Sequence, residues 1–134
     1  MRLSDKDQQE LWKAATQVLP QAYAPYSRFR VGASVLTANG QIYAGANVEN
    51  ASYGLSLCAE RAAIAQAVAA EGPSMRLKAV AVAGHKPGPL APCGACRQII
   101  FEFGPEALVI FQGEGGLLEV PITELLPQAF GLSR

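Results

Sequence analysis

The sequence lacks any excess of charge, and this absence argues against a nucleic-acid partner. It carries 11 basic and 11 acidic residues in 134, so the formal net charge is zero. No run of Lys or Arg stands out, whereas a protein that follows a phosphate backbone usually carries a basic stripe. The balance lowers the prospect of RNA binding without excluding it, and we expect no nucleic-acid partner.

Long apolar runs are also missing. None approaches the roughly 18 residues that a membrane helix needs, and residues 1–6 are polar and charged, unlike the apolar core of a signal peptide. We therefore expect a cytoplasmic protein with no membrane partner. No linker, repeat or low-complexity segment divides the chain, and half of its residues are hydrophobic. This composition predicts a single domain over residues 1–134.

Cysteine and histidine are scarce, with three of the first and one of the second. An odd number of thiols in a reducing compartment is more typical of metal binding or catalysis than of disulfides. The thiols lie in two short motifs, Cys58-Ala59-Glu60-Arg61 and Pro92-Cys93-Gly94-Ala95-Cys96. One such cysteine alone is more often an ordinary buried residue. Together, the three predict a metal site.

The order of predicted elements indicates an α/β fold. Helical and strand periodicities alternate after an initial helix and a hairpin, whose Asn39-Gly40 turn contains two residues that tolerate positive φ. The predicted helices span residues 4–19, 58–70 and 96–103, with a last helical turn starting at Pro121, and the predicted strands span 30–37, 41–46, 77–83, 107–111 and 117–120. We expect a three-layer α/β/α sandwich around a mixed five-stranded sheet.

Both cysteine motifs lie where a loop enters a predicted helix, which is a usual place for ligand sites in such sheets. Three thiolate ligands leave the fourth position of a tetrahedral zinc open, as in catalytic rather than structural sites. Glu60 is then the candidate general acid and base. Residues i and i+2 of a helix lie about 200° apart. Cys58 must therefore stand at the very start of its helix if Glu60 is to share the site.

Three thiolates outweigh the two positive charges of Zn²⁺, so the site needs a compensating cation. Arg61 follows Cys58 by three residues and lies on the same helix face, and Arg97 directly follows Cys96. We expect Arg61 to donate a hydrogen bond to a ligand sulfur, as outer partners of metal ligands commonly do.

The chain resembles the small cytidine deaminases of the homotetrameric type, which use three cysteines. Its Cys-x-Glu and Pro-Cys-x-x-Cys motifs match the signature of zinc deaminases. The similarity runs along nearly the whole length, in residues 24–33, 47–50, 58–61, 92–98 and 124–130. The resemblance implies one Zn²⁺ per subunit, held by Cys58, Cys93 and Cys96. It implies pyrimidine salvage by hydrolysis: a zinc-bound hydroxide attacks C4 of cytidine or deoxycytidine with Glu60 as proton shuttle, ammonia leaves, and uridine or deoxyuridine forms.

The same resemblance implies the substrate contacts. Phe29 would pack on the pyrimidine face, and the Ala59 backbone N–H would meet the base carbonyl. Asn47 and Glu49 would bind the 3′ hydroxyl of the ribose. A carboxylate accepts a strong hydrogen bond from a free hydroxyl but repels a phosphate. A free nucleoside therefore fits better than a nucleotide.

Two further aromatic residues are implied to act between subunits. Tyr53 would line a neighbouring subunit's site, and Phe130 would close a site from another subunit. The nearly all-apolar helix after Arg61 also favours burial against a partner. We therefore expect a homotetramer with shared sites. Tyr26, by contrast, is interpreted as a packing residue.

Two alternatives remain open from the residues alone. The Cys93-x-x-Cys96 motif would suit a structural zinc or redox-thiol module, with His85 as the only histidine able to complete four ligands. A position in a surface loop is the favoured interpretation of His85. The second alternative keeps the chemistry but changes the substrate to an antibiotic such as blasticidin S or to a base within nucleic acid.

Overall fold

A computed structural model describes residues 2–132, which form α-helices packed around one sheet. The elements are α1 (Asp5–Gln17), β1 (Val31–Thr37), β2 (Ile42–Ala46), α2 (Ala59–Glu71), β3 (Leu77–Gly84), α3 (Gly94–Phe103), β4 (Leu108–Gln112), β5 (Leu117–Pro121) and α4 (Ile122–Leu125), with short 3₁₀ turns at Leu19–Gln21 and Tyr53–Leu55. The strand order is β2-β1-β3-β4-β5. Only β3 and β4 run parallel among these neighbours, so the predicted mixed five-stranded sheet is confirmed.

The alternation of residues along β3 separates two cores. Its small residues, Ala79, Ala81 and Ala83, belong to the core that includes Leu11 and Ala15 of α1. The intervening Val80 and Val82 belong to the core that contains α2 and α3 residues. Successive strand residues point to opposite faces, so helices cover both sides of the sheet. The expected three-layer α/β/α sandwich is therefore confirmed.

The β1–β2 turn is confirmed, but its geometry differs from the expectation. Gly40 has a φ of 83°, while Asn39 is absent from the residues of positive φ in the described part of the chain. The N–H of Gly40 donates to the carbonyl of Thr37 at 2.9 Å, and the N–H of Thr37 donates to the carbonyl of Gln41 at 2.9 Å. This pattern is that of a turn followed by a glycine bulge, which requires positive φ only at the glycine.

The helix boundaries show three differences from the sequence predictions. The first helix ends at Gln17, and Pro20 falls within a 3₁₀ turn. α3 starts at Gly94, two residues before the predicted start, because Cys93 caps it by accepting from the Cys96 N–H. Pro121 precedes the last helix as its N-cap in extended conformation instead of being its first residue. Across residues 2–132, no helix combines the length and apolarity that membrane crossing requires.

Candidate metal centre and active site

The three thiols meet where two helices begin. Cys58 is the N-cap of α2, with φ −71° and ψ 150°, and Cys93 is the N-cap of α3. Cys96 lies one turn into α3 and is fully buried. The three sulfur atoms lie within 4.8 Å of one another, and all three cysteines are free. The predicted position of Cys58 ahead of its helix is therefore confirmed.

This cluster fits a tetrahedral metal ion with three protein ligands. Sulfur atoms bound to zinc at about 2.3 Å stand roughly 3.8 Å apart in tetrahedral geometry, within the observed limit of 4.8 Å. Cys58 and Cys93 line a cavity of about 540 Å³, so the open side of the cluster faces a space large enough for a small ligand. The N–H groups of two helix starts also favour thiolates here.

His85 does not join the thiol cluster. Within residues 2–132, the group of potential metal ligands contains only the three cysteines. The Nδ1 atom of His85 instead accepts a hydrogen bond from the Arg30 N–H at 2.9 Å. The fourth ligand of a closed structural site is therefore not provided by this histidine, in agreement with the favoured interpretation of His85 as a loop residue.

The cysteines differ in how readily they ionise. The pKa of Cys58 is lowered to about 5, mainly because the Cys96 thiol donates a hydrogen bond to its sulfur, with a further contribution from Arg61. The same hydrogen bond, together with burial, raises the pKa of Cys96. The thiolate is therefore favoured at Cys58 over Cys96.

Arg61 makes the hydrogen bond that the helix spacing predicts. Its Nη2 atom donates to Cys58 Sγ at 3.2 Å, and this contact raises the pKa of Arg61. The Nε atom of Arg61 is buried and has no hydrogen-bond partner among residues 2–132. The guanidinium group thus stands beside the Cys58 thiolate, and its positive charge also acts on the nearby Glu60 carboxyl. Its effect on reactivity remains a prediction.

Glu60 lies in the first turn of α2 and lines the same cavity. Its side chain is only 4% exposed. Burial raises the pKa of Glu60, and the nearby negative charge of Cys58 raises it further. A carboxyl group with a raised pKa holds a proton more readily and is therefore better suited to accept and return one. Glu60 thus has the position and the electrostatics of a proton carrier.

The loop after β2 brings polar groups to the cavity. The backbone of Val48 pairs with that of Leu57 through hydrogen bonds of 2.8 and 2.9 Å. This pairing sets Asn47 and Glu49 opposite the segment that leads into Cys58, and both residues line the cavity. Ala59 also lines the cavity, and it is the first residue of α2. The N–H at this position has no acceptor within the helix.

Asn47 is held by backbone contacts on both sides of its amide. Its Oδ1 accepts from the Val31 N–H at 2.9 Å, and its Nδ2 donates to the Phe29 carbonyl at 2.9 Å. An amide offers two donors and two acceptor sites, so one donor and one acceptor site remain. The residue is therefore a structural link between the loop and β1 and, at the same time, a fixed polar group at the cavity.

Glu49 is fixed by three donors from the loop before β1. Its Oε1 accepts from the N–H groups of Tyr26 at 3.0 Å and Ser27 at 3.1 Å, and its Oε2 accepts from the Ser27 hydroxyl. The Ser27 hydroxyl is the main reason why the pKa of Glu49 is lowered, and the backbone donors add to it. Glu49 is therefore a preoriented, ionised acceptor. The sequence analysis did not single out Ser27 for this contact, because a loop serine has many local partners.

The aromatic residues are placed in three different ways. Tyr53 lines the cavity and is 75% exposed, with its ring edge-on to Tyr26 at 6.2 Å between centroids. Tyr26 also lines the cavity and is exposed, so its interpretation as a packing residue is wrong. Phe29 and Phe130 are not in the cavity lining of the described chain. The Phe29 ring contacts His85 at 5.6 Å, and Phe130 is 70% exposed on the surface.

Most of the chain matches the model of a known protein family. The family model described as the cytidine and deoxycytidylate deaminase zinc-binding region matches residues 5–112, which include all three cysteines and Glu60. The chain belongs to this deaminase family. Membership agrees with the family resemblance in the sequence, and it makes zinc the metal for the three-cysteine cluster.

Individual relatives extend the match over almost the whole chain. A cytidine deaminase of Halalkalibacterium halodurans is 46% identical over 126 residues, covering 92% of this chain and 94% of the relative. The crystal structure of cytidine deaminase from Burkholderia pseudomallei has a TM-score of 0.83 at 44% identity and covers 96% of this chain and 100% of that one. The Mycobacterium tuberculosis enzyme has a TM-score of 0.83 at 42% identity, covering 94% and 98%. A blasticidin-S deaminase of Bacillus cereus is less similar, at 30% identity over 125 residues and 88% of each chain.

Proposed function

We propose that the chain is a zinc-dependent cytidine deaminase that converts cytidine and deoxycytidine to uridine and deoxyuridine with release of ammonia. The observation that carries the proposal is the meeting of three thiols, within 4.8 Å of one another, with the buried carboxyl of Glu60 at one cavity. Family membership and the cytidine deaminase relatives support the same reaction.

Cys58, Cys93 and Cys96 would hold one zinc ion per chain. Zinc, when bound in a site with three protein ligands, activates water as a nucleophile near neutral pH. The chain supplies the surroundings for this chemistry. Arg61 would offset part of the thiolate charge through its bond to Cys58, and Cys96 and Glu60 are themselves buried.

Glu60 would move the protons of the reaction. Hydrolysis forms a C4–O bond and breaks the C4–N bond. One proton of water goes to ring N3 and stays there, and the second, from the new C4 hydroxyl, goes to the amino group, which leaves as ammonia. Glu60 is buried at the cavity wall and its pKa is raised, so it can accept each proton and pass it on. The Ala59 N–H, at the start of α2, would donate to the base carbonyl and orient the ring.

Glu49 and Asn47 would select a free sugar. The fixed carboxylate of Glu49 can accept from a ribose 3′ hydroxyl, and the free donor of Asn47 can bind the same group. A phosphate at this position would meet the ionised Glu49, whose pKa is lowered. This combination favours a free 3′ hydroxyl over a 3′-phosphate and over internal positions in a nucleic acid. It also favours a ribose-containing substrate over an antibiotic that lacks this hydroxyl.

We further propose a homotetramer in which subunits share sites. Exposed aromatics support it, because Tyr53 stands at the cavity mouth and Phe130 projects from the surface of a single chain. In an assembly, Tyr53 would contribute to a neighbouring site, while Phe130 and Phe29 would close on the base. We also propose that residues 1–134 form one domain with a role in pyrimidine salvage in the cytoplasm.

A substrate panel tests the proposed function. Zinc-loaded protein is incubated with cytidine, deoxycytidine, cytidine 3′-phosphate and blasticidin S, and conversion is followed by absorbance and by ammonia release. We expect turnover of the first two, with strong discrimination against the phosphate. Turnover of blasticidin S alone would replace the nucleoside assignment, and no turnover of either nucleoside would refute it.

A further inference from the structure

Arg97 connects two segments that are distant in the sequence. Its Nε donates to the carbonyl of Pro92 at 2.8 Å, and its Nη1 donates to the carbonyl of Leu125 at 2.9 Å. Pro92 is fully buried and immediately precedes Cys93. Leu125 is the last residue of α4. One half-buried guanidinium group therefore holds both the start of the metal-ligand loop and the end of the last helix.

The neighbouring side chains of α3 contact the residues that follow α4. Gln98 Nε2 donates to the Phe130 carbonyl at 2.9 Å. A side-chain carbon placed on Gly131 would lie 3.5 Å from the Phe101 ring, which shows that the chain passes directly over that ring. Residues 97 and 101 are one helical turn apart and share a face. Residues 122–131, here called the C-terminal segment, are thus attached along one side of α3.

Two of the three metal ligands lie at the start of the same helix as these attachments. Cys93 caps α3, Cys96 is in its first turn, and Arg97 is the next residue. The two donors of Arg97 point in different directions because a guanidinium group is a planar fork with five N–H groups. A lysine at this position has one ammonium group and cannot reproduce the fork. Loss of the Leu125 contact therefore removes one of the two hydrogen bonds that hold the group next to the loop before Cys93.

We infer that Arg97 is a positioning residue that couples metal retention to docking of the C-terminal segment. Coupling of two equilibria is reciprocal. A bound metal that fixes Cys93 and Cys96 therefore stabilises the docked segment, and the docked segment strengthens binding of the metal. We expect the stronger binding to be seen as slower release. The inference rests on the proposed zinc site, but it requires no particular substrate. Its test measures metal release and backbone protection, so its outcome is separate from the outcome of the turnover assay.

The first experiment compares zinc release from three variants of the intact chain. Arg97→Ala removes both contacts, and Arg97→Lys preserves the charge without the fork. Arg76→Ala is the matched control, because Arg76 Nη1 also donates to backbone carbonyls, those of Pro73 and Met75, away from the cysteines. Each protein is loaded with zinc and mixed with a colorimetric chelator. We expect Arg97→Ala to release zinc about tenfold faster or more, Arg97→Lys to be intermediate, and Arg76→Ala to match the native rate.

The second experiment uses the native chain and therefore does not depend on whether a variant folds. Amide hydrogen exchange is measured with zinc bound and after chelation. We expect faster exchange in residues 122–131 after chelation, while strand β1 stays protected. A native zinc-release rate in Arg97→Ala would overturn the inference. Unchanged exchange in the C-terminal segment, or an equal rise there and in β1, would overturn it as well.

Discussion

Arg61 Nη2 lies 3.2 Å from Cys58 Sγ, one helical turn back along the chain. The contact exists because Cys58 caps α2 from outside the regular helix while Arg61 lies within its first turn. The same start directs Glu60 to the cavity. The beginning of one helix therefore places the three residues with the proposed roles of metal ligand, proton carrier and charge compensation.

Removing the cation beside Cys58 is expected to impair the site without unfolding the chain. Arg61→Ala leaves the charge of the three thiolates uncompensated, so we expect weaker activation of water and a fall in kcat/KM of about 10- to 100-fold. Arg61→Lys should recover part of the loss because it keeps the charge. The measurement is steady-state kinetics at verified zinc content. Native kinetics in fully loaded Arg61→Ala would show that the charge needs no compensation.

Replacing Glu49 by a neutral residue tests its proposed role in binding the ribose 3′ hydroxyl. Glu49→Gln keeps the size of the side chain and loses the strong ionic acceptor, so we expect kcat/KM for cytidine to fall by about 10- to 100-fold, as for a hydrogen bond to a charged group worth about 1.5–3 kcal/mol.

A sugar without the 3′ hydroxyl provides the control for Glu49. The native chain should discriminate strongly between deoxycytidine and 2′,3′-dideoxycytidine, and Glu49→Gln should not. If the variant kept the same discrimination, the hydroxyl would have to be bound elsewhere.

Acidification is expected to release the metal. Zinc requires deprotonated thiols, so protons compete with it and its affinity falls as the pH falls. Thermal unfolding midpoints with and without a chelator should therefore differ most at neutral and mildly alkaline pH and converge as the pH is lowered. Zinc content after dialysis at each pH gives the direct comparison. A midpoint difference that grew on acidification would contradict ligation by thiolates.

Glu71 is expected to matter for stability and not for chemistry. Its Oε2 accepts from Thr37 Oγ1 at 2.9 Å and from Tyr43 OH at 3.1 Å, and its Oε1 accepts from Asn39 Nδ2 at 3.1 Å. This carboxylate attaches the end of α2 to the β1–β2 hairpin. Glu71→Ala should lower the free energy of unfolding by about 1–3 kcal/mol, measured by denaturant titration.

An exposed glutamate in the β4–β5 turn provides the control for Glu71. Glu114→Ala should change the free energy of unfolding by less than about 0.5 kcal/mol. Folded Glu71→Ala should retain its kcat. A loss of turnover without a loss of stability would assign Glu71 a role in the reaction instead.

The sequence predicts the elements of this fold well where the pattern is local. The alternation of Ala and Val in residues 77–83 predicts a strand covered on both faces, and β3 is the central strand of the sheet. The metal cluster is equally predictable, because all three cysteines belong to two short motifs. The start of α3 is harder to predict. Glycine disfavours helices, yet α3 begins at Gly94 because the Cys93 sulfur caps the helix.

Side chains whose direction depends on distant partners could not be predicted from the sequence. Arg97 follows a metal ligand, which suggests a role in charge compensation, but its donors bind the carbonyls of Pro92 and Leu125. Only the path of the C-terminal segment places Leu125 within its reach. The position of Tyr26 also depends on distant parts of the chain. An aromatic residue usually packs in the core, but the path of the loop before β1 brings Tyr26 to the cavity.

The central claim is that Glu60 carries protons at a zinc site formed by the three cysteines. The most direct test is Glu60→Gln, with zinc content and cytidine turnover measured on the same sample. The substitution preserves the size of a buried side chain and leaves the thiols intact. We predict about one zinc per chain, as in the native protein, with turnover reduced by at least about 100-fold, the lower range for loss of a general acid or base. Native turnover at full zinc content would contradict the account.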